Sequence, residues 1–228
     1  MDDPRSRAAG FCDRFGIRVP ILLAPMAGAC PTSSSIAVIR AGGFGACAAL
    51  LMQPKEIEDW AAEVRANVEG PFQINLWIPE PPPVRDRSHE MRVREFLSRW
   101  GPPVPENAGD IALPNFDEQC QALLRIVPAA VSSIMGLYPP KFASELKARR
   151  IAWFATATTV ADAKKAEAAG ADVIIAQGME AGEHRGAFDA TKAEQRLVGL
   201  IALVPAIVDA FLSSLLVELG MAAVSLER

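Results

Sequence analysis

The chemistry in this sequence concentrates in one segment, Gln177-Gly178-Met179-Glu180-Ala181-Gly182-Glu183-His184-Arg185-Gly186. It carries one of the chain's two histidines, set among carboxylates, an arginine and glycines. Imidazole exchanges a proton near neutral pH, so His184 suits a general base. A histidine on a surface loop has the same signature, and residue types alone leave both readings open. The other histidine, His89, lies in a charged segment and reads as a surface or structural residue. Uncharged donors and acceptors recur at Gln73, Asn75, Thr156 and Gln177, with small residues near Pro25-Met26-Ala27-Gly28, Gly136 and Ala157. Amides and hydroxyls around open space suit a flat aromatic ligand with polar edges. No metal centre is expected, because neither histidine has another His or Cys at ligand spacing.

What must position these residues is an alternation of short apolar runs and helical patterns. Strands are predicted over 21–24, 44–49, 72–76, 129–135, 151–155 and 173–176. Helices are predicted to open at Thr32-Ser33-Ser34, and to cover 54–67, 84–100, 117–126, 140–149 and 159–169, with another beginning near Glu194. The spacing Thr159…Asp162 suits a capped helix start, and Gly170 a helix end. Alternating strands and helices imply right-handed βαβ units and a parallel sheet. Apolar runs with little polar alternation agree, since such strands are covered on both faces. Apart from Gln73, which lies two residues before Asn75 on the same side, the candidate residues fall at or just after predicted C-terminal strand ends, where parallel α/β folds hold their sites. The turn Ala24-Pro25-Met26-Ala27-Gly28 lacks the GxGxxG of a dinucleotide-binding unit, which favours a (β/α)8 barrel over a doubly wound sheet. Ala41-Gly42-Gly43-Phe44-Gly45 follows a helix and precedes a strand, so it reads as a helix stop and tight turn. Pro79, Pro81, Pro82 and Pro83 break the pattern, and residues 79–114 read as an insertion in a single domain spanning 1–228.

Composition narrows the classes. Half of the 228 residues are hydrophobic and 22% are charged, so the chain can bury a core and is not disordered. Its four cysteines form no CxxC pair, which excludes a disulfide scaffold and fits a reducing, cytoplasmic compartment. A net charge of −4 argues against nucleic acid or an anionic membrane surface as partner. The basic run from Arg85 to Arg99 interleaves with Asp86, Glu90 and Glu95, and reads as a solvated helix face with internal ion pairs. The start, MDDPRSRAAG, has no apolar core of a secretory signal. Residues 197–219 are apolar enough to test as a membrane span. A central Asp209 costs about 2.5–3.5 kcal/mol in lipid, so a buried helix is expected instead. The length falls a little below the roughly 250 residues of a full barrel.

The same residues resemble the nitronate monooxygenases, also called 2-nitropropane dioxygenase-like proteins. Ala24 to Gly28, Gly42-Gly43-Phe44-Gly45, Gln73-Ile74-Asn75-Leu76, Thr156-Ala157-Thr158-Thr159 and the segment 177–186 occur in family order, across roughly residues 11–209. The resemblance implies an FMN-dependent (β/α)8 TIM barrel that oxidises alkyl nitronates with O2 to a carbonyl compound and nitrite. It implies that Pro25, Met26, Ala27, Asn75 and Gln177 line the flavin, that Gly182 lets the backbone approach closely, and that His184 is catalytic. The partners implied are a small-molecule nitronate and O2, with neither nucleic acid nor membrane; assembly into a homo-oligomer stays open. Two departures stand out. Glu183 replaces a glycine of the family pattern. The resemblance fades after about Asp209, where the family continues with a seventh strand, a Gly-Gly phosphate loop and an eighth strand. The expectation is therefore a C-terminally truncated member, an incomplete barrel of about six βα units with a divergent tail at 210–228. The alternatives are a weakly active or inactive relative, and an FMN-dependent enoyl-thioester reductase-like enzyme using NAD(P)H.

Overall fold

In the computed structural model the described residues are 4–81, 84–110, 113–182, 184–210 and, for the backbone, 222–225. Strands β1 (Gly45–Ala48), β2 (Phe72–Trp77), β3 (Ala130–Ile134), β4 (Ala152–Ala157) and β5 (Val173–Ala176) pair in parallel, in the order of the chain. The predicted strand at 21–24 shrinks to a parallel bridge between Leu22 and Phe44 beside β1. Pro20 and Pro25 flank it and have no backbone N–H to give a longer ladder. A doubly wound sheet reverses its strand order at a switch point. This sheet does not reverse, so its winding is that of a (β/α) barrel, as expected.

The helices confirm that winding, because they gather on one face. They are α2 (Thr32–Arg40), α3 (Pro54–Asn67), α5 (Phe116–Ile126), α6 (Pro140–Ala148), α7 (Val160–Ala168) and α8 (Leu200–Ala210). Their apolar stripes cover alternate residues of the strands: Phe72, Ile74 and Leu76 of β2, Trp153, Ala155 and Ala157 of β4, Ile174 and Ala176 of β5. Each large apolar side chain buried there is worth roughly 1.5–3 kcal/mol. Local signals start the helices where expected. Thr159 caps α7 by accepting from the Asp162 amide at 3.1 Å, and Asn115 caps α5 by accepting from the Glu118 amide at 3.1 Å.

The other face of the sheet changes character along the strands. At the N-terminal end it is aromatic. Helix α1 (Pro4–Phe15), which the sequence reading did not anticipate, lays Phe11 and Phe15 against Phe44 and Phe154, with ring centroids 5.4–6.5 Å apart. Toward the C-terminal end the same face becomes polar, with Asn75, Ser132, Thr156 and Gln177 all buried. An apolar plug below and uncharged polar groups above define where a ligand can enter.

Two further regions differ from expectation, and one agrees with it. The predicted helix near Glu194 is a 3-10 turn over Ala190–Gln195, and α8 begins later, at Leu200. Between β2 and α5, the charged helix α4 (Arg87–Leu97) buries none of its residues. Arg85 pairs with Glu90 at 2.6 Å and with Asp110, the ion-paired solvated face anticipated from the charge pattern. Residues 222–225 form β6 (Ala222–Ser225), antiparallel to β5, which gives that edge a hydrogen-bonding partner where no strand was predicted. Among the described residues no helix is long and apolar enough to cross a membrane, and most of the stretch after Asp209 lies outside them.

Cysteine accessibility offers a check on this packing. Cys47 and Cys120 are buried against the helical layer, and burial pushes both thiols up to about 12. Cys12 and Cys30 are only half-buried. A thiol probe at mildly alkaline pH should label Cys12 and Cys30 in the native protein, with Cys47 and Cys120 reacting only after denaturation. Equal labelling of all four in mass spectra would contradict the core as described.

Candidate active site

The site is built from the C-terminal strand ends and the loop that follows β5. Gln177, the first residue of that loop, is buried, and both ends of its amide hold the loop. Its Nε2 donates to the His184 carbonyl at 3.0 Å, and its Oε1 accepts from the Gly186 amide at 2.7 Å. Arg185 Nη1 donates to the Gly178 carbonyl at 2.6 Å, and the Met179 amide donates to the Val198 carbonyl at 2.8 Å. Glu180 reaches the start of α8, where its carboxylate accepts from the Leu200 amide at 2.8 and 3.1 Å. Backbone hydrogen bonds from its own amide and from Leu200 lower its pKa, as expected for an anion at a helix N-terminus. Most polar residues of the segment thus shape the loop itself. Glu183 lies outside the described residues.

The glycines of the loop divide by need. A Cβ at Gly186 would meet Ile134 Cγ1 at 2.9 Å and Thr156 Cγ2 at 3.1 Å, and a Cβ at Gly178 would meet Leu200 at 2.7 Å. Both positions require glycine for packing. At Gly182 a Cβ would meet nothing within 4 Å among the described residues, so their packing does not explain that glycine.

His184 is exposed, and its ring lies against the indole of Trp77, centroids 4.7 Å apart and the planes inclined at 65°. Edge-to-face aromatic pairs contribute about 0.5–1.5 kcal/mol. Trp77 ends β2 and pairs in register with Ile134, the side chain that packs on Gly186. The sequence reading stopped this strand at Leu76 and did not single out Trp77. Its signal was the strand alternation, which puts Gln73, Asn75 and Trp77 on one face.

Below this pair lie the amides. Asn75 Nδ2 donates to Ser132 Oγ at 3.0 Å. Gln73 is buried and its Oε1 has no partner. Thr158, also buried, has an unpartnered Oγ1. A buried acceptor without a donor costs about 1–3 kcal/mol, a cost that a bound donor would remove. Beside β1, at the same end of the sheet, Pro25, Met26 and Ala27 run from the Leu22 bridge into a turn, where Met26 O accepts from the Ala29 and Cys30 amides. Met26 is 41% exposed. At the end of β3, Met135 holds a positive φ of 66°, a strained conformation for a side-chain-bearing residue.

A cavity of about 770 Å³ lies elsewhere. It opens at the N-terminal end of the sheet among Arg14, Lys147, Arg150 and Asp172. Asp172 is already engaged there, by the Trp153 amide at 2.9 Å and Arg14 at 3.2 Å. In this winding the C-terminal end carries chemistry and the N-terminal end carries stability, so this cavity is not the candidate site.

Comparison with known proteins bears on the chain as a whole. A family model described as nitronate monooxygenase matches residues 12–217. A nitronate monooxygenase of Pseudomonas aeruginosa is 34% identical over 201 residues, covering 84% of this chain and 57% of that protein. One from Paraburkholderia phytofirmans is 35% identical, covering 83% of this chain and 53% of that protein. Among solved structures, a nitroalkane oxidase from Streptomyces ansochromogenes matches with a TM-score of 0.74 at 28% identity, over 88% of this chain and 57% of that one. FabK from Thermotoga maritima matches at 0.63 and 23% identity, over 88% of this chain and 50% of that one, a likeness of fold. The chain spans a little over half the length of the curated relatives it matches.

Proposed function

The chain belongs to the nitronate monooxygenase family, and on that premise we propose that it serves the FMN-dependent oxidation of alkyl nitronates by O2, to a carbonyl compound and nitrite. The observation that carries the reading is the loop after β5, whose amide, carboxylate and guanidinium bonds brace the backbone that bears His184. That histidine takes the proton of a nitroalkane or polarises a bound nitronate. FMN, when bound, supplies the electron acceptor that side chains lack. The residues at hand suit such a group. Gln73 Oε1 awaits a donor in a buried setting, and Asn75 and Ser132 offer uncharged polar atoms. Pro25, Met26, Ala27, Asn75 and Gln177 would line it. Gly182, whose missing Cβ serves no packing among the described residues, would admit it closely. The chain reads as one domain, with 79–114 as an insertion and 210–228 as a divergent tail.

Adding FMN to the purified 228-residue chain should give a protein-bound flavin absorbance. Under anaerobic conditions a nitronate should bleach it and NADH should not. A chain that stays colourless, or one bleached by NADH and reoxidised by an enoyl thioester, would overturn the reading, the latter in favour of a reductase.

A further inference from the structure

We propose that Trp77 is the positioning residue for His184, fixing its imidazole while Gln177 fixes its backbone. The inference rests on His184 being the catalytic histidine. Two hydrogen bonds from the Gln177 side chain hold the loop at the His184 carbonyl and the Gly186 amide. Both bonds are made to backbone atoms, and neither is made to the imidazole itself. The indole of Trp77 lies 4.7 Å from it, centroid to centroid, at 65°. Trp77 is itself well held. It is half-buried, it ends a parallel strand, and the Ile78 amide that follows donates to the Ile134 carbonyl at 3.0 Å. Ile134 in turn packs at Gly186, so strand β3 registers both the indole and the loop. A ring contact of this kind restricts where the imidazole can sit. The strands around the pair, Phe72–Trp77, Ala130–Ile134, Ala152–Ala157 and Val173–Ala176, carry no charged side chain. The nearby loop charges Glu180 and Arg185 bond to the Leu200 amide and the Gly178 carbonyl.

The chain's two histidines make this directly measurable by NMR of the imidazole carbon-bound protons. His184→Gln assigns the two sets of signals, and His89, exposed on α4, is the internal control. Trp77→Leu should abolish the ring-current displacement of the His184 signals and leave those of His89 in place. It should lower kcat on the order of 10- to 100-fold, the cost of about an ångström of misplacement, while changing KM far less. Trp77→Phe, which keeps a ring at the end of β2, should displace the signals in the same direction by a smaller amount and restore most of the turnover. It also decides the question if the leucine variant does not fold. Unmoved His184 signals in both variants would overturn the contact, even if His184→Gln is inactive and the proposed function stands. Moved signals with unchanged kcat would reduce Trp77 to a neighbour. Moved signals with full turnover by His184→Gln would instead remove the catalytic role of the histidine, and with it the premise.

Discussion

Gln177→Leu is expected to cost about 1–3 kcal/mol of stability and to release the loop that carries His184. The cost comes from the Gly186 amide, which is buried and has Gln177 Oε1 as its acceptor at 2.7 Å. A buried donor left without an acceptor costs about 1–3 kcal/mol. The His184 carbonyl loses a bond as well, but His184 is exposed and water can replace that donor. Leucine and glutamine are close in size, so the change removes hydrogen bonds without opening much of a cavity. The urea midpoint should therefore fall while the slope of the transition stays the same. The local effect should exceed the global one, because a loop whose anchors are gone opens without unfolding the sheet. Trypsin reports this, since Arg185 sits between the two anchored residues. Cleavage after Arg185 should be slow in the natural sequence and fast in the variant. An unchanged midpoint together with unchanged cleavage would show that the two hydrogen bonds hold nothing.

The value of that residue was only half legible in the sequence, and the reason is physical. Gln177 stood out as a polar residue at a strand end. That its amide would turn back onto its own loop depends on the fold of residues 178–186, which no periodicity encodes. Trp77 is the stronger case. Its partner His184 lies more than a hundred residues away in sequence, and the alternation that put it on the polar face was followed only as far as Leu76. The parallel strands were read well because burial on both faces writes an apolar run, as in Val173–Ala176. Helix α1 was missed because it is mostly polar and contributes chiefly Phe11 and Phe15, which find their partners on strands far along the chain. The start of α8 was misplaced for a similar reason, since the carboxylate that caps Leu200 comes from Glu180. Local chemistry such as the Thr159 and Asn115 caps needs only three residues to be visible. Non-local anchoring needs the fold first.

The largest functional effect is expected from His184→Gln. Positioned acid–base groups contribute on the order of 10²- to 10⁴-fold, and the loss should fall in that range. Glutamine approximates the length of the imidazole and keeps polar atoms, so folding and flavin retention should persist. Retention follows because the loop is held by Gln177, Arg185 and Glu180 rather than by the imidazole. The two roles open to the histidine separate by substrate. A neutral nitroalkane must lose the proton on the carbon beside the nitro group before it can be oxidised, and the base that takes it must be the enzyme's. A nitronate formed beforehand in solution has already lost that proton. If His184 acts as a base, the variant should lose turnover of the neutral nitroalkane by the full factor and keep most of its turnover of the preformed nitronate. If it polarises the bound anion, both substrates should fall together, because the nitronate oxygens lose the same donor in each case. Steady-state oxygen uptake with each form of one nitroalkane distinguishes these outcomes. Turnover of both forms at the rate of the natural sequence would take His184 out of the chemistry, leaving the loop after β5 as scaffold alone.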